Sequence, residues 1–100
     1  MAATKQQVIA DIRAYIEQRG GAYRGWYVGI ASDPRARLFR DHGVDEKDDM
    51  WIYRECESSV LAREVEELFV KVLGTDGGLG GGDASTRCVY AYLKTTHTRQ

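Results

Sequence analysis

Tyr27, Arg37, His42 and Glu66 are side chains of the types that phosphodiester hydrolysis uses. That reaction needs a water that gives up its proton, a cation against the phosphate under attack, and help for the leaving oxygen. Glu66 could bind one Mg²⁺ or Mn²⁺, because a hard divalent cation accepts a single carboxylate together with waters and substrate phosphate oxygens. Arg37 could hold the phosphate through charge-assisted hydrogen bonds. Tyr27 could orient or deprotonate the water if a metal or arginine activates a phenol whose ordinary pKa is about 10. His42 could carry a proton near neutrality. Plainer readings stand beside these. His42 also suits a satisfied histidine at the edge of a core, and Arg37 a solvated surface arginine. Tyr27, Tyr90 and Tyr92 also suit sheet aromatics that pack the interior.

The elements that must position these residues are readable from capping and periodicity. Thr4 is an N-cap for a first helix whose Val8, Ile9, Ile12, Tyr15 and Ile16 form one apolar stripe, stopped by Gly20 and Gly21. Trp26 to Ala31 reads as a strand, and Gly29 inside it marks a bulge or a place where another group approaches the backbone. Ser32 or Asp33 caps a short helix with Pro34 in its first turn and an end near Gly43. Val44 to Asp49 is an acidic turn, and Met50 to Cys56 a second strand. Ser58 or Ser59 caps the longest amphipathic helix, with Leu61, Val65, Leu68, Phe69, Val72 and Leu73 on one face and Gly74 at its end. On this helix Glu66 falls at the border of the apolar face, near Ala62, Phe69 and Leu73, whereas Glu67 points to solvent. Arg87 to Leu93 reads as a third strand, in which Tyr90 and Tyr92 share one face. The tail from Lys94 is expected to fray.

These elements predict a single α/β domain over residues 1–100, with one three- or four-stranded sheet in a single layer and about three helices. One hundred residues suffice for one core and not for two. Apolar and charged contents of 43% and 29% are those of an ordinary globular chain. No apolar run approaches the roughly 20 residues of a membrane helix, which predicts no membrane partner. The opening MAATKQQ lacks the basic-then-apolar layout of a secretory signal, making the cytoplasm the expected location. Cys56 and Cys88 form neither a disulfide framework nor a CxxC metal pair and are expected as small buried hydrophobes. The net charge of -1 argues against strong sequence-independent binding to nucleic acid. Arg24, Arg35, Arg37 and Arg40 nonetheless allow a local basic patch. The run from Gly77 to Gly82 lacks the lysine of a phosphate-binding P-loop and follows a helix, so it reads as a connector or lid.

The run WYVGIASDPRARLFRDHG resembles the second half of the signature of the GIY-YIG nuclease superfamily. Tyr27, Val28 and Gly29 correspond to YIG. Arg37, eight residues after Gly29, falls where the family arginine lies, and His42 resembles the histidine that follows it. In Ala62-Arg63-Glu64-Val65-Glu66 the glutamate four residues after the alanine corresponds to the catalytic, metal-binding one. The resemblance covers about half the chain, from Gly25 to Gly78. It implies a GIY-YIG-like sheet and helices, and Mg²⁺-dependent endonuclease activity on DNA or RNA. Its catalytic set would be Tyr27, Arg37, His42 and Glu66, with Glu66 on the metal. The family's GIY strand, some ten residues earlier, is missing here. Either the C-terminal strand Cys88 to Tyr92 takes its place, with Tyr90 serving as the absent tyrosine, or the site lacks one of its two tyrosines.

The rival expectation is a non-catalytic module that keeps the scaffold and binds protein or nucleic acid. The near-neutral charge and the acids from Asp45 to Asp49 favour it. Trp26 and Trp51 would then be the first surfaces to test. A homodimer built on an edge strand is a third possibility. Geometry discriminates: Tyr27, Arg37 and Glu66 around one open cleft favour the enzyme, and a Glu66 ion-paired on the far side excludes it.

Overall fold

The computed structural model describes residues 2–78 and 82–100. It is a small α/β domain with an open, three-stranded antiparallel sheet in the order β1-β3-β2. The strands are β1 (Trp26–Ala31), β2 (Trp51–Glu55) and β3 (Cys88–Leu93). Helix α1 (Lys5–Glu17) starts where Thr4 accepts a hydrogen bond from the Gln7 N–H at 3.1 Å. Helix α2 (Ser59–Glu67) is capped by Ser58 and continues as a π-helical turn over Leu68–Leu73, ended by left-handed Gly74. A second π-helical turn spans Ala36–Asp41, with Asp33 Oδ1 accepting from the Ala36 N–H at 3.1 Å.

The pleat sorts the strands into two cores. Trp26, Val28, Ile52, Val89 and Ala91 face α1 and α2 and pack against Val8, Ile12, Ile16, Ala62, Val65 and Phe69. Tyr27, Ala31, Tyr90 and Tyr92 face the other way, against Leu38 and Val44. The 36–41 turn therefore covers the aromatic face of the sheet, and the two long helices cover the aliphatic face. With layers on both sides, the central strand β3 is buried from Val89 to Tyr92.

Both sheet edges are covered. Along β1, Asp76 forms a parallel bridge to Tyr27, with Val28 N–H bonded to Asp76 O at 3.0 Å and Asp76 N–H to Trp26 O at 2.9 Å. Along β2, the Tyr15 hydroxyl accepts from Trp51 N–H at 3.1 Å and the Glu55 carbonyl from Ala3 N–H at 2.9 Å. An edge so covered resists pairing with a second chain.

Gly29 is the close approach expected of it. It sits opposite Tyr90, and a Cβ built on it would lie 2.5 Å from the Tyr90 hydroxyl oxygen and 2.6 Å from Cζ. Gly29→Ala is expected to cost about 1–3 kcal/mol by overpacking, measured by urea denaturation; a neutral result would show that the Tyr90 ring can move aside.

Three expectations are corrected. Trp26 is only 1% exposed and belongs to the aliphatic core, because its strand position points at α1; Tyr15 meets it edge-on at 5.8 Å. It offers no surface to a partner, whereas Trp51 is half-buried. Val72 is 72% exposed, since the wider π turn after Glu67 breaks the 3.6-residue period that aligned it with Phe69. The tail beyond Lys94 packs onto the domain and does not fray. Cys56 is buried and Cys88 half-buried, both as free thiols. Residues 79–81 of the glycine connector lie outside the described residues. No helix among the described residues is long and apolar enough to cross a membrane.

Candidate active site

A cleft of about 530 Å³ opens beside β1, lined by Tyr27, Gly29, Arg37, Glu66, Gly78 and Tyr90, with Asp33, Arg40 and Asp41 also on its walls. Four elements supply the functional side chains. Tyr27 comes from β1 and Tyr90 from β3, two positions apart in register and on the same face. Arg37 descends from the 36–41 turn, and Glu66 reaches in from α2. The Asp76 bridge along β1 carries the chain on to Gly78, which lies against the Tyr27 hydroxyl: a Cβ built there would come within 3.3 Å of its oxygen.

Glu66 is the least ordinary group. It shares the buried side of α2 and the π turn after it with Ala62, Val65 and Phe69, and it is 1% exposed. Its Oε1 has no hydrogen-bond partner among the described residues. Burial pushes its pKa from 4.5 up to about 7; Arg63 nearby opposes the shift and Glu67 adds to it. Half-neutralised near pH 7 with an unpartnered oxygen, this carboxyl fits a hard cation completed by waters and phosphate oxygens. Among the described residues no group of three or more His, Cys, Asp and Glu could hold a metal without such help.

The Arg37 guanidinium faces the Tyr90 hydroxyl, which raises its pKa further, and its Nη1 lies 3.5 Å from Asp41 Oδ2. Burial pushes the Tyr90 phenol up to about 12, against the opposing effect of Arg37. Tyr27 is likewise raised by burial, with the Gly78 N–H and Arg37 opposing.

His42 does not line the cleft. It lies directly behind the tyrosines, 4% exposed, with Nε2 2.7 Å from the Tyr90 hydroxyl and Nδ1 2.6 Å from the Arg99 carbonyl oxygen. The π turn brings it there: His42 N–H bonds back five residues to Arg37 O at 2.9 Å. Its ring centroid sits 4.7 Å from that of Tyr27 and 5.0 Å from that of Tyr92. Burial lowers its pKa from 6.5, so the imidazole is neutral at pH 7. A carbonyl can only accept, so Nδ1 carries the proton and Nε2 accepts from the Tyr90 O–H. The Tyr90 oxygen is then free to accept from Arg37.

Four of the five residues singled out in the sequence thus line one cleft, and the fifth touches two of them, Tyr27 and Tyr90, from behind. No family model, curated protein or solved structure matches this chain. Geometry alone must therefore carry the functional reading. Sequence reasoning missed two members of the site. Gly78 was visible only as part of a glycine run. The Arg99 carbonyl had no signal at all, because a backbone acceptor in a polar tail leaves no trace in residue type.

Proposed function

We propose that this chain is a divergent GIY-YIG-type nuclease that hydrolyses phosphodiester bonds in DNA or RNA with Mg²⁺ or Mn²⁺. The observation that carries the reading is the convergence of Tyr27, Tyr90, Arg37 and a buried, half-unpartnered Glu66 on one open cleft. Strand order adds support. With β3 seated between β1 and β2, Tyr90 stands opposite Gly29 of the YIG-like strand. That is the arrangement required if the C-terminal strand replaces the missing GIY strand.

In this reading Glu66 holds the metal, which supplies Lewis-acid stabilisation to the phosphate when bound. Arg37 binds a non-bridging phosphate oxygen, exchanging Asp41 for the substrate. The attacking water gives its proton to the Tyr90 oxygen as the Tyr90 proton passes to His42 Nε2, leaving an imidazolium whose Nδ1–H remains on the Arg99 carbonyl. The water oxygen forms the new bond to phosphorus, and the departing sugar oxygen takes a proton from solvent. Tyr27, stacked beside Tyr90 at 6.2 Å on the same face, orients the water.

The binding-module reading keeps one specific observation in its favour: Asp33 and Asp41 share the cleft with Arg37 and Arg40 and offset their charge. The experiment that separates the two readings is Mg²⁺- or Mn²⁺-dependent cleavage of single- and double-stranded DNA and RNA by the wild type and Glu66→Ala. Cleavage that disappears in the variant supports the nuclease and its metal ligand. A folded wild type that cleaves nothing gives the cleft to the binding module. Cleavage that survives in Glu66→Ala moves the metal elsewhere.

A further inference from the structure

Residues 95–100 close over the aromatic face as a strap, behind the cleft. Thr98 ties it into a turn, its hydroxyl accepting from Thr95 N–H at 2.9 Å and donating to Thr95 O at 3.1 Å. His97 Nε2 lies 2.5 Å from Asp49 Oδ2, anchoring the turn to the acidic loop. Gly43, at φ +73°, lets the strap pass: a Cβ there would meet the His97 carbonyl oxygen at 3.4 Å. Arg99 then clasps His42 at two points. Its N–H donates to the His42 carbonyl at 2.7 Å, and its own carbonyl oxygen faces His42 Nδ1 at 2.6 Å. The Tyr92 hydroxyl completes the clasp, 3.1 Å from Nδ1 and donating to Gln100 Oε1 at 3.0 Å.

Every oxygen offered to Nδ1 is therefore an acceptor. The carbonyl, at 2.6 Å the nearer of the two, has no proton to give, and the Tyr92 O–H has acceptors of its own in Gln100 Oε1 at 3.0 Å and the Arg99 carbonyl at 3.4 Å. Imidazole nitrogens are not independent: fixing the proton on one leaves the other as an acceptor. The acceptor left here, Nε2, faces the Tyr90 hydroxyl. Without the strap, Nδ1 loses its carbonyl and the proton is free to sit on Nε2, where it donates to the Tyr90 oxygen. The Tyr90 O–H then turns into the cleft and has no acceptor behind it.

We propose that the 95–100 strap is a positioning element, its Arg99 main-chain carbonyl fixing His42 in the tautomer whose Nε2 accepts the proton of Tyr90. The catalytic consequence rests on the nuclease reading; the tautomer does not. The test is long-range ¹H–¹⁵N correlation on the ¹⁵N-labelled full chain at pH 8, where His42 is neutral. The expected pattern is a protonated Nδ1 and an unprotonated Nε2; a proton on Nε2 in the intact chain overturns the proposal.

Truncation after Lys94, with the amide spectrum of β1–β3 as the check on folding, is expected to move the proton wholly or partly to Nε2. It should also lower kcat on the order of a hundredfold with KM unchanged. A folded truncated chain that keeps Nδ1–H overturns the proposal as well. If truncation after Lys94 unfolds the domain, removal of Arg99 and Gln100 alone, which takes away the carbonyl and leaves the 95–98 turn, gives the same readout. If the wild type cleaves no substrate, the nuclease reading falls, and the tautomer measurement still decides the role of the strap.

Discussion

Glu66→Gln is expected to stabilise the metal-free protein by about 3 kcal/mol above pH 8 while lowering cleavage on the order of a thousandfold. The sign follows from burial. The carboxyl has a pKa of 4.5 in its ordinary state and about 7 in the folded chain, so the folded form binds the proton more tightly. Below 4.5 both states are protonated and the glutamate costs nothing relative to glutamine. As pH rises the unfolded chain ionises first, and stability falls until the folded carboxyl also ionises near 7. Each pKa unit is worth about 1.4 kcal/mol, which gives the figure above. Urea denaturation of both proteins at pH 4.5, 6 and 8 measures the divergence. Parallel stability curves would mean that the carboxyl is solvated. Mg²⁺ added at pH 8 should stabilise the wild type and leave Glu66→Gln unmoved, because only an ionised carboxylate gives the cation a ligand.

The second large effect separates the two cleft tyrosines. Tyr90→Phe should lower kcat by about 10²–10⁴-fold, the usual worth of a positioned proton acceptor. Tyr27→Phe should lower it only about tenfold, since in the proposed reaction its hydroxyl orients the water and passes on no proton. The basis is the surroundings of the two phenols. Tyr90 has His42 Nε2 at 2.7 Å and the Arg37 guanidinium beside its oxygen, whereas the Tyr27 hydroxyl is met by the Gly78 N–H. Single-turnover cleavage by the two variants is the measurement, and a larger loss in Tyr27→Phe would exchange the two roles. Tyr90→Phe also leaves His42 Nε2 buried without its donor, which should cost about 1–3 kcal/mol of stability.

The sequence made some parts of this molecule legible and left others unreadable, for physical reasons. The first long helix begins at the expected Thr4 and the second at Ser58, one of the two serines expected to cap it, because a cap is a local interaction between a side chain and a nearby N–H. β1 has the expected bounds, and β2 and β3 lie within theirs, since aromatic and β-branched runs bounded by polar residues describe half-buried strands well. Gly29 announced a close approach but not the group that makes it. The placement of Glu66 at the border of an apolar stripe was readable; that it would be buried with an unpartnered oxygen was not, because that depends on what covers it. The two π turns were invisible. They put His42 behind Tyr90 and turn Val72 outward, and neither effect follows from a 3.6-residue period. The strap was read as frayed because its Thr, His and Arg residues carry no apolar pattern, and it is held by backbone and hydroxyl groups that pattern reading ignores.

The order β1-β3-β2 also has a consequence for how the chain comes into being. The two earlier strands do not pair with each other; among the described residues each has β3 as its one strand partner in the sheet. During synthesis, the ribosome therefore releases both before either has a strand to bond to, and the ladder groups that face β3 stay with water until residues 88–93 emerge. The three strand segments, far apart in the chain, meet in one late event, with long loops already to be closed. The nascent chain should stay sensitive to protease until then and become resistant abruptly, as sheet and cleft form together.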